Sequence, residues 1–333
     1  IVTSEKTTLN AATLVVKDGK ILAVGTNVAV PKEAMVLDCK GKFIYPSFID
    51  IYSDYGMPAA PQMERRFNFG APAQHSSNTK GAFGWNQAIR SEVLGVRVFA
   101  ADAAKAKTLR EQGFGTVLSH QKDGIARGTG TVVTLADEKE NKVVLKEKAS
   151  THYSFSKGSS TQSYPGSLMG TIALLRQTYI DAEWYKNNKE KEGVNISLRM
   201  WNENFSLPQV FEANDKWGAL RADKIGDEFG VQYIIKGGGN EYQRIDDMVA
   251  TRASFILPLN YPQAMDVEDP NEARFVSLAD MKHWEMAPAN AAAFEKAKIP
   301  FALTTADLRD AKQFMANLRK AIEYGLSESK ALE

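Results

Sequence analysis

The chain has 333 residues, 44% hydrophobic and 24% charged, the make-up of an ordinary globular protein with room for one large α/β barrel or two medium domains. Lys plus Arg is 41 against 40 for Asp plus Glu, so no global field favours nucleic acid or an anionic membrane. The single cysteine, Cys39, excludes an intrachain disulfide, and no run of 18 apolar residues reads as a transmembrane helix.

In chain order, residues 12–17 and 20–25 form a hairpin about the Asp18-Gly19 turn. Residues 35–38 and 42–44 read as further strands, with Cys39 as a small buried hydrophobe. A strand-like run then carries Y-P-S-F-I-D-I-Y-S-D over residues 45–54. Residues 55–90 hold Pro58, Pro61, Pro72, Gly70, Gly81 and Gly84 and read as a long loop, the kind that builds sites. Residues 100–112 read as a helix ended by Gly113, and 114–119 as a buried strand with His120 at its C-terminal end. Residues 131–135 and 143–146 read as a hairpin, in an excursion around residues 123–160 that reads as an insertion on the site face.

Pro165 opens a long helix with Leu168, Ile172, Leu175, Tyr179 and Trp184 on its apolar face. Residues 196–200 read as a strand, 207–229 as a helix, and 231–235 as a strand followed by Lys236, Gly237, Gly238 and Gly239. The remainder alternates: helix 241–251, strand 254–257, helix 290–298, strand 300–304, helix 311–325. From Gly113 onward this alternation argues a parallel sheet, wound or closed, with helices outside.

Several runs carry a resemblance: N-A-A-T-L-V-V-K-D-G-K-I-L-A-V-G from Asn10, P-S-F-I-D-I-Y-S-D from Pro46, D-G-I-A-R-G-T-G from Asp123, Y-P-G-S-L-M-G-T-I-A-L-L-R-Q from Tyr164, H-W-E-M-A-P from His283 and P-F-A-L-T-T-A-D from Pro300. Together they resemble the amidohydrolase superfamily, in particular its imidazolonepropionase-like members of the long, exported type found in Bacteroidetes-like bacteria. The resemblance implies an α/β fold, a TIM-type (β/α) barrel over residues 45–333, with a small N-terminal β-sandwich fragment over residues 1–44. It implies a periplasmic or secreted protein, although a cytoplasmic one stays open. It also implies a partner segment downstream, either closing strands or a second barrel. Ile1 lies inside a strand-like run, so a processed or truncated chain is expected.

Active members of that superfamily hold a catalytic metal, typically zinc, with imidazoles and one Asp at the strand ends. Their first strand reads P-G-[FL]-[IV]-D-x-H-x-H, and here the two His positions are Tyr52 and Asp54. After the fifth strand, where a His is usual, this chain offers Met200, Trp201, Asn202 and Glu203. After the sixth it offers Lys236, Gly237 and Gly238. The metal-binding Asp of the last strand falls on Ala306, with Asp307 next to it. The resemblance thus implies a scaffold whose metal ligands are largely replaced.

Other chemistry-bearing residues have two readings each. His120 is a base or metal ligand, or a histidine bonded to its own loop. Asp50, Asp54 and Glu203, with His120, could hold one hard cation. Arg127 between glycines could clamp a carboxylate, or pair with a nearby acid. His152 and Ser154, near Lys157, Gly158, Ser159 and Ser160, form an imaginable nucleophile set or a simple turn. Gly237 to Gly239 could cradle an anion or merely turn the chain. His283 reads as structural.

Two functions follow. One is a non-catalytic amidohydrolase-like module, a scaffold or a small-molecule- or peptide-binding half of a larger hydrolase. The alternative is a metal-dependent hydrolase of C–N bonds with a non-standard site, with His120, Asp54 and Arg127 as catalytic residues.

Overall fold

The computed structural model describes residues 1–61 and 72–333; part of the expected 55–90 loop, Gly70 included, lies outside them. Two small antiparallel pairs come first: β1 (Val2–Ser4) with β2 (Thr7–Thr8), and β3 (Thr13–Lys17) with β4 (Lys20–Gly25). The hairpin about Asp18-Gly19 is as expected, Gly19 taking the left-handed φ of +71° that the turn needs. The strands expected at 35–38 and 42–44 do not form. Met35, Val36 and Leu37 are exposed there, so no apolar face is buried to reward pairing. Cys39 is exposed, not buried.

The remaining strands form one eight-stranded sheet, in chain order from β5 to β12. They are β5 (Phe48–Ser53), β6 (Phe114–Ser119), β7 (Ala126–Thr134), β8 (Val144–Ser154), β9 (Gln209–Glu212), β10 (Ile234–Lys236), β11 (Phe255–Pro258) and β12 (Phe301–Thr304). The helices outside it include α1 (Ala103–Glu111), α2 (Leu168–Glu192), α3 (Ile196–Asn204), α4 (Lys216–Phe229), α5 (Ile245–Thr251), α6 (Asn290–Lys296) and α7 (Phe314–Glu323). The sheet is a nearly closed barrel of the TIM type with one departure. β7 runs antiparallel to both neighbours, while the other pairings are parallel.

That departure corrects the expected insertion around 123–160, which instead supplies two staves of the barrel. The hairpin expected at 131–135 and 143–146 is the far end of β7 and β8, both longer than expected. A second correction exchanges two elements. Residues 196–200 are helix α3, capped by Asn195, whose Oδ1 accepts from Leu198 N at 3.1 Å. The start of the expected 207–229 helix is strand β9, and α4 begins only after its own cap, Asp215 Oδ1 to Gly218 N at 2.6 Å. Both runs are short and apolar, where periodicity does not separate strand from helix. Ser167, not Pro165, caps α2, accepting from Gly170 N at 3.2 Å.

The strands alternate between two environments, as a period of two demands. Phe211, Ile235, Phe255 and Leu257 face the helices in the main core. Tyr52, Val210, Ile256 and Ala306 form a small cluster of their own inside the barrel. Between β12 and β5 the closure is made by side chains. Asp50 accepts from Thr304 Oγ1 at 2.7 Å, Thr305 N at 3.0 Å and Thr305 Oγ1 at 2.6 Å.

Candidate functional site

The strand ends place seven polar side chains in the barrel mouth: Tyr52 (β5), His120 (after β6), Arg127 (β7), His152 (β8), Glu212 (β9), Lys236 (β10) and Asp307 (after β12). Arg127 reaches this end because β7 is reversed: its N-terminal Ala126 pairs with Tyr153, near the C-terminal end of β8. A parallel β7 would have put Arg127 at the opposite end.

A chain of contacts joins five of them. Arg127 Nη1 donates to Tyr52 Oη at 3.1 Å and pairs with Glu212 Oε2 at 2.6 Å, while its Nε donates to the Gly124 carbonyl at 3.1 Å. Lys236 Nζ lies 3.9 Å from Glu212 Oε1 and pairs closely with Asp307 Oδ2. Arg127 is 5% exposed, Lys236 1% and Glu212 14%. Lys122 stands over the Tyr52 ring, its Nζ 5.1 Å from the centroid. Burial raises the Glu212 carboxyl, but Arg127, Lys236 and Lys122 outweigh it and hold Glu212 below the usual carboxylate range. Burial disfavours the charged guanidinium of Arg127, yet the Tyr52 and Glu212 oxygens more than restore it. Burial also pushes the Tyr52 phenol well above its ordinary value.

The two remaining members are imidazoles. His120 and His152 stack with centroids 3.6 Å apart and planes 5° from parallel, and the Tyr52 ring lies 4.5 Å from His120. His152 Nε2 is 2.8 Å from Ser150 Oγ, and Gly130 makes room for the pair, since a Cβ there would meet both atoms at 2.7 Å. His120 has no hydrogen-bond partner on either ring nitrogen among the described residues. Burial drives both imidazoles well below their ordinary value, aided for His120 by the charge of His152, Arg127 and Lys122 and for His152 by Arg127 and Lys122. Both therefore stay neutral.

The expected site residues divide. His120 and Arg127 come together in the mouth. Arg127 is on a strand rather than in a glycine loop, and it pairs with the acid Glu212. Asp54 is exposed at the rim of a cavity of about 550 Å³ that Tyr52, Lys122, Thr305 and Asp307 also line. Asp50 is fully buried, and its oxygens are taken by the seam donors and by Tyr52 N at 3.0 Å. Burial raises its carboxyl despite these bonds. Glu203 is on the exposed side of α3, 3.8 Å from Arg199, so it is not part of the mouth. Glu212, at the end of the true strand, occupies the place assigned to residues 200–203.

After β10 it is Lys236, not Gly238, whose side chain enters the barrel. Gly238 has no room for a side chain, because a Cβ would come 2.1 Å from the Asn214 carbonyl oxygen. Of the two readings of Gly237 to Gly239, the backbone N–H groups meet an internal acid: Gly238 N and Gly239 N donate to the Glu241 carboxylate at 2.6 and 3.1 Å. After β12, Ala306 is buried in the small cluster, and Asp307, at a φ of +65°, carries the carboxylate. Ser154 Oγ is spent on the Gly124 carbonyl at 3.0 Å, and Ser159 Oγ on Asp123 at 2.7 Å, so neither is a free nucleophile beside His152. His283 stacks on Tyr242, consistent with a structural place.

The donor set does not suit the superfamily's metal. In the mouth, an ammonium and a guanidinium already neutralise the two carboxylates. The two imidazoles lie parallel, so their lone pairs do not converge on one point. Among the described residues, no group of three or more His, Cys, Asp and Glu is placed to hold a metal ion.

No protein-family model matches this chain, and no curated protein does. Among solved structures, the fold is similar to that of an amidohydrolase from Thermotoga maritima, with a TM-score of 0.70, 19% identity, and coverage of 96% of this chain and 80% of that one. A second amidohydrolase and a prolidase complexed with N-methylphosphonate-L-proline are more distant, with TM-scores of 0.48 and 0.45, identities of 14% and 12%, and coverage of 97% and 96% of this chain and 80% and 79% of theirs. The chain therefore has the fold of an amidohydrolase barrel, a likeness of architecture.

Proposed function

We propose that this chain is an amidohydrolase-like module with a degenerate metal site, acting as a non-catalytic scaffold or a ligand-binding half of a larger hydrolase. One observation supports the reading: in the barrel mouth Lys236 and Arg127 already pair with the carboxylates of Glu212 and Asp307. A metal ion entering there would have to displace two buried cations, and like charges at such distances repel strongly. The cavity above, rimmed by Asp54 and Lys122, offers space for a small ligand. The superfamily resemblance supports a periplasmic or secreted setting.

The hydrolase alternative has one observation of its own, the buried ring nitrogens of His120, which have no partner among the described residues. Metal content separates the two readings. Elemental analysis of protein purified with zinc present, run beside a panel of amides and cyclic amides, is expected to find far less than one metal per chain and no turnover. Stoichiometric zinc that disappears in Asp54→Ala and in His120→Ala would overturn the proposal.

A further inference from the structure

The connection from β11 to α6 carries a helix, Leu278–Met286, that the barrel hardly uses. None of its nine residues is buried. Ser277 caps it, its Oγ accepting from Asp280 N at 3.1 Å. Its inner side is marked by His283, half-buried and stacked on Tyr242, with Nδ1 3.1 Å from the phenol oxygen.

A helix turns about 100° per residue, so the place of His283 fixes which residues look outward. Met281 lies nearly opposite His283. Leu278 and Glu285 stand beside Met281 on one flank, with Lys282 further round, and Trp284 stands on the other flank. Leu278 is 68% exposed, Met281 52% and Trp284 41%, and Phe275, three residues before Leu278, is 74% exposed. Scattered exposed apolar side chains are ordinary, but a run of large ones on one outward face marks a surface for another protein. Met, Trp and Phe are also the types enriched in such surfaces.

Charge selects the partner. The helix carries Asp280 and Glu285 against Lys282, whereas a helix that lies on an anionic membrane has a basic polar face. Lys282 and Glu285 are exposed, with no ion-pair partner among the described residues. They share a flank, one turn apart. When two helices meet antiparallel about a two-fold axis, like flanks face each other and the order along them reverses. An axis passing between His283 and Trp284 therefore sets Lys282 of each copy opposite Glu285 of the other. The same axis brings the two Trp284 indoles together on the opposite flank, with Met281 in the seam. The surface is complementary to itself.

We propose that a second copy of this chain docks on this face, forming a two-fold dimer through an antiparallel pair of Leu278–Met286 helices. Sedimentation velocity of the whole chain across micromolar concentrations tests this. The parent is expected to dimerise, and Met281→Asp, which puts a charge in the seam, to leave only monomer. Lys282→Glu and Glu285→Lys each turn both cross-pairs into like charges and should weaken the dimer about tenfold. An equimolar mixture of these two variants should recover the parent's affinity, because every cross-pair in the mixed dimer is again opposite in charge. All three positions are exposed, so the monomer's fold is retained, which an unchanged far-UV circular dichroism spectrum checks. The proposal is overturned if the parent stays monomeric throughout, if its dimer survives Met281→Asp, or if the mixture fails to recover.

Discussion

Two neutral imidazoles share the barrel interior with a guanidinium and a lysine, and their titration should be visible in stability. Unfolding restores His120 and His152 to ordinary behaviour, with a pKa of about 6.5. Because their folded values lie well below that, the unfolded chain binds more protons as the pH falls through this window. Stability is then lost on acidification. The free energy of urea unfolding should drop steadily between pH 7.5 and 5.5, and the double variant His120→Gln with His152→Gln should flatten that slope. An equal slope in the variant would show that other groups carry it. Asp50 acts in the opposite direction, since its raised folded value favours the protonated, folded form. At this scale the sequence pointed to His120, Arg127 and Tyr52 but missed Glu212. The signal was the alternation in Q-V-F-E over residues 209–212, which puts Val210 and Glu212 on one face and Phe211 on the other.

Between elements, Asp50 ties the first barrel strand to the last. It was a candidate cation ligand in sequence, yet the structure spends it on joining β5 to β12. Asp50→Ala removes every one of those bonds, leaving the buried Thr304 hydroxyl only the Tyr52 carbonyl at 3.0 Å, so it should cost on the order of 3–5 kcal/mol, and Thr305→Val about 1.5–3 kcal/mol. Urea denaturation measures both, and an Asp50→Ala protein within about 0.5 kcal/mol of the parent would remove the seam from the account. The exchange of α3 and β9 shows why elements were harder to read than residues. Asn195 is a fair cap signal, but a run as short as I-S-L-R-M satisfies strand and helix patterns alike. The choice was made by the neighbours: β9 slots between β8 and β10, pairing on both sides, and α3 packs on α2.

For the molecule as a whole, the barrel and the N-terminal pairs differ in how much they bury. Barrel strands β9 to β11 contribute Phe211, Ile235 and Phe255 to the main core, while Ile21, Leu22, Val36 and Phe43 stand in solvent. Native-state hydrogen exchange should therefore be fast throughout residues 1–44 and approach the global unfolding limit in β9 to β11. Comparable protection in both regions would contradict this picture. Among the described residues, no helix is long and apolar enough to cross a membrane.

The sequence by itself determined the hairpin about Gly19, the alternation of strands and helices after Gly113, and a tyrosine rather than an imidazole at position 52, because these depend on local turn chemistry, periodicity and residue identity. The direction of β7, and with it the delivery of Arg127 to Glu212, was decided only in the tertiary structure. So were the choice of Lys236 over Gly238, the commitment of Asp50 to the seam, and the parallel stack of His120 on His152. Each of these depends on which strands are neighbours and which way they run, and that is set by pairing and burial between segments far apart in the chain.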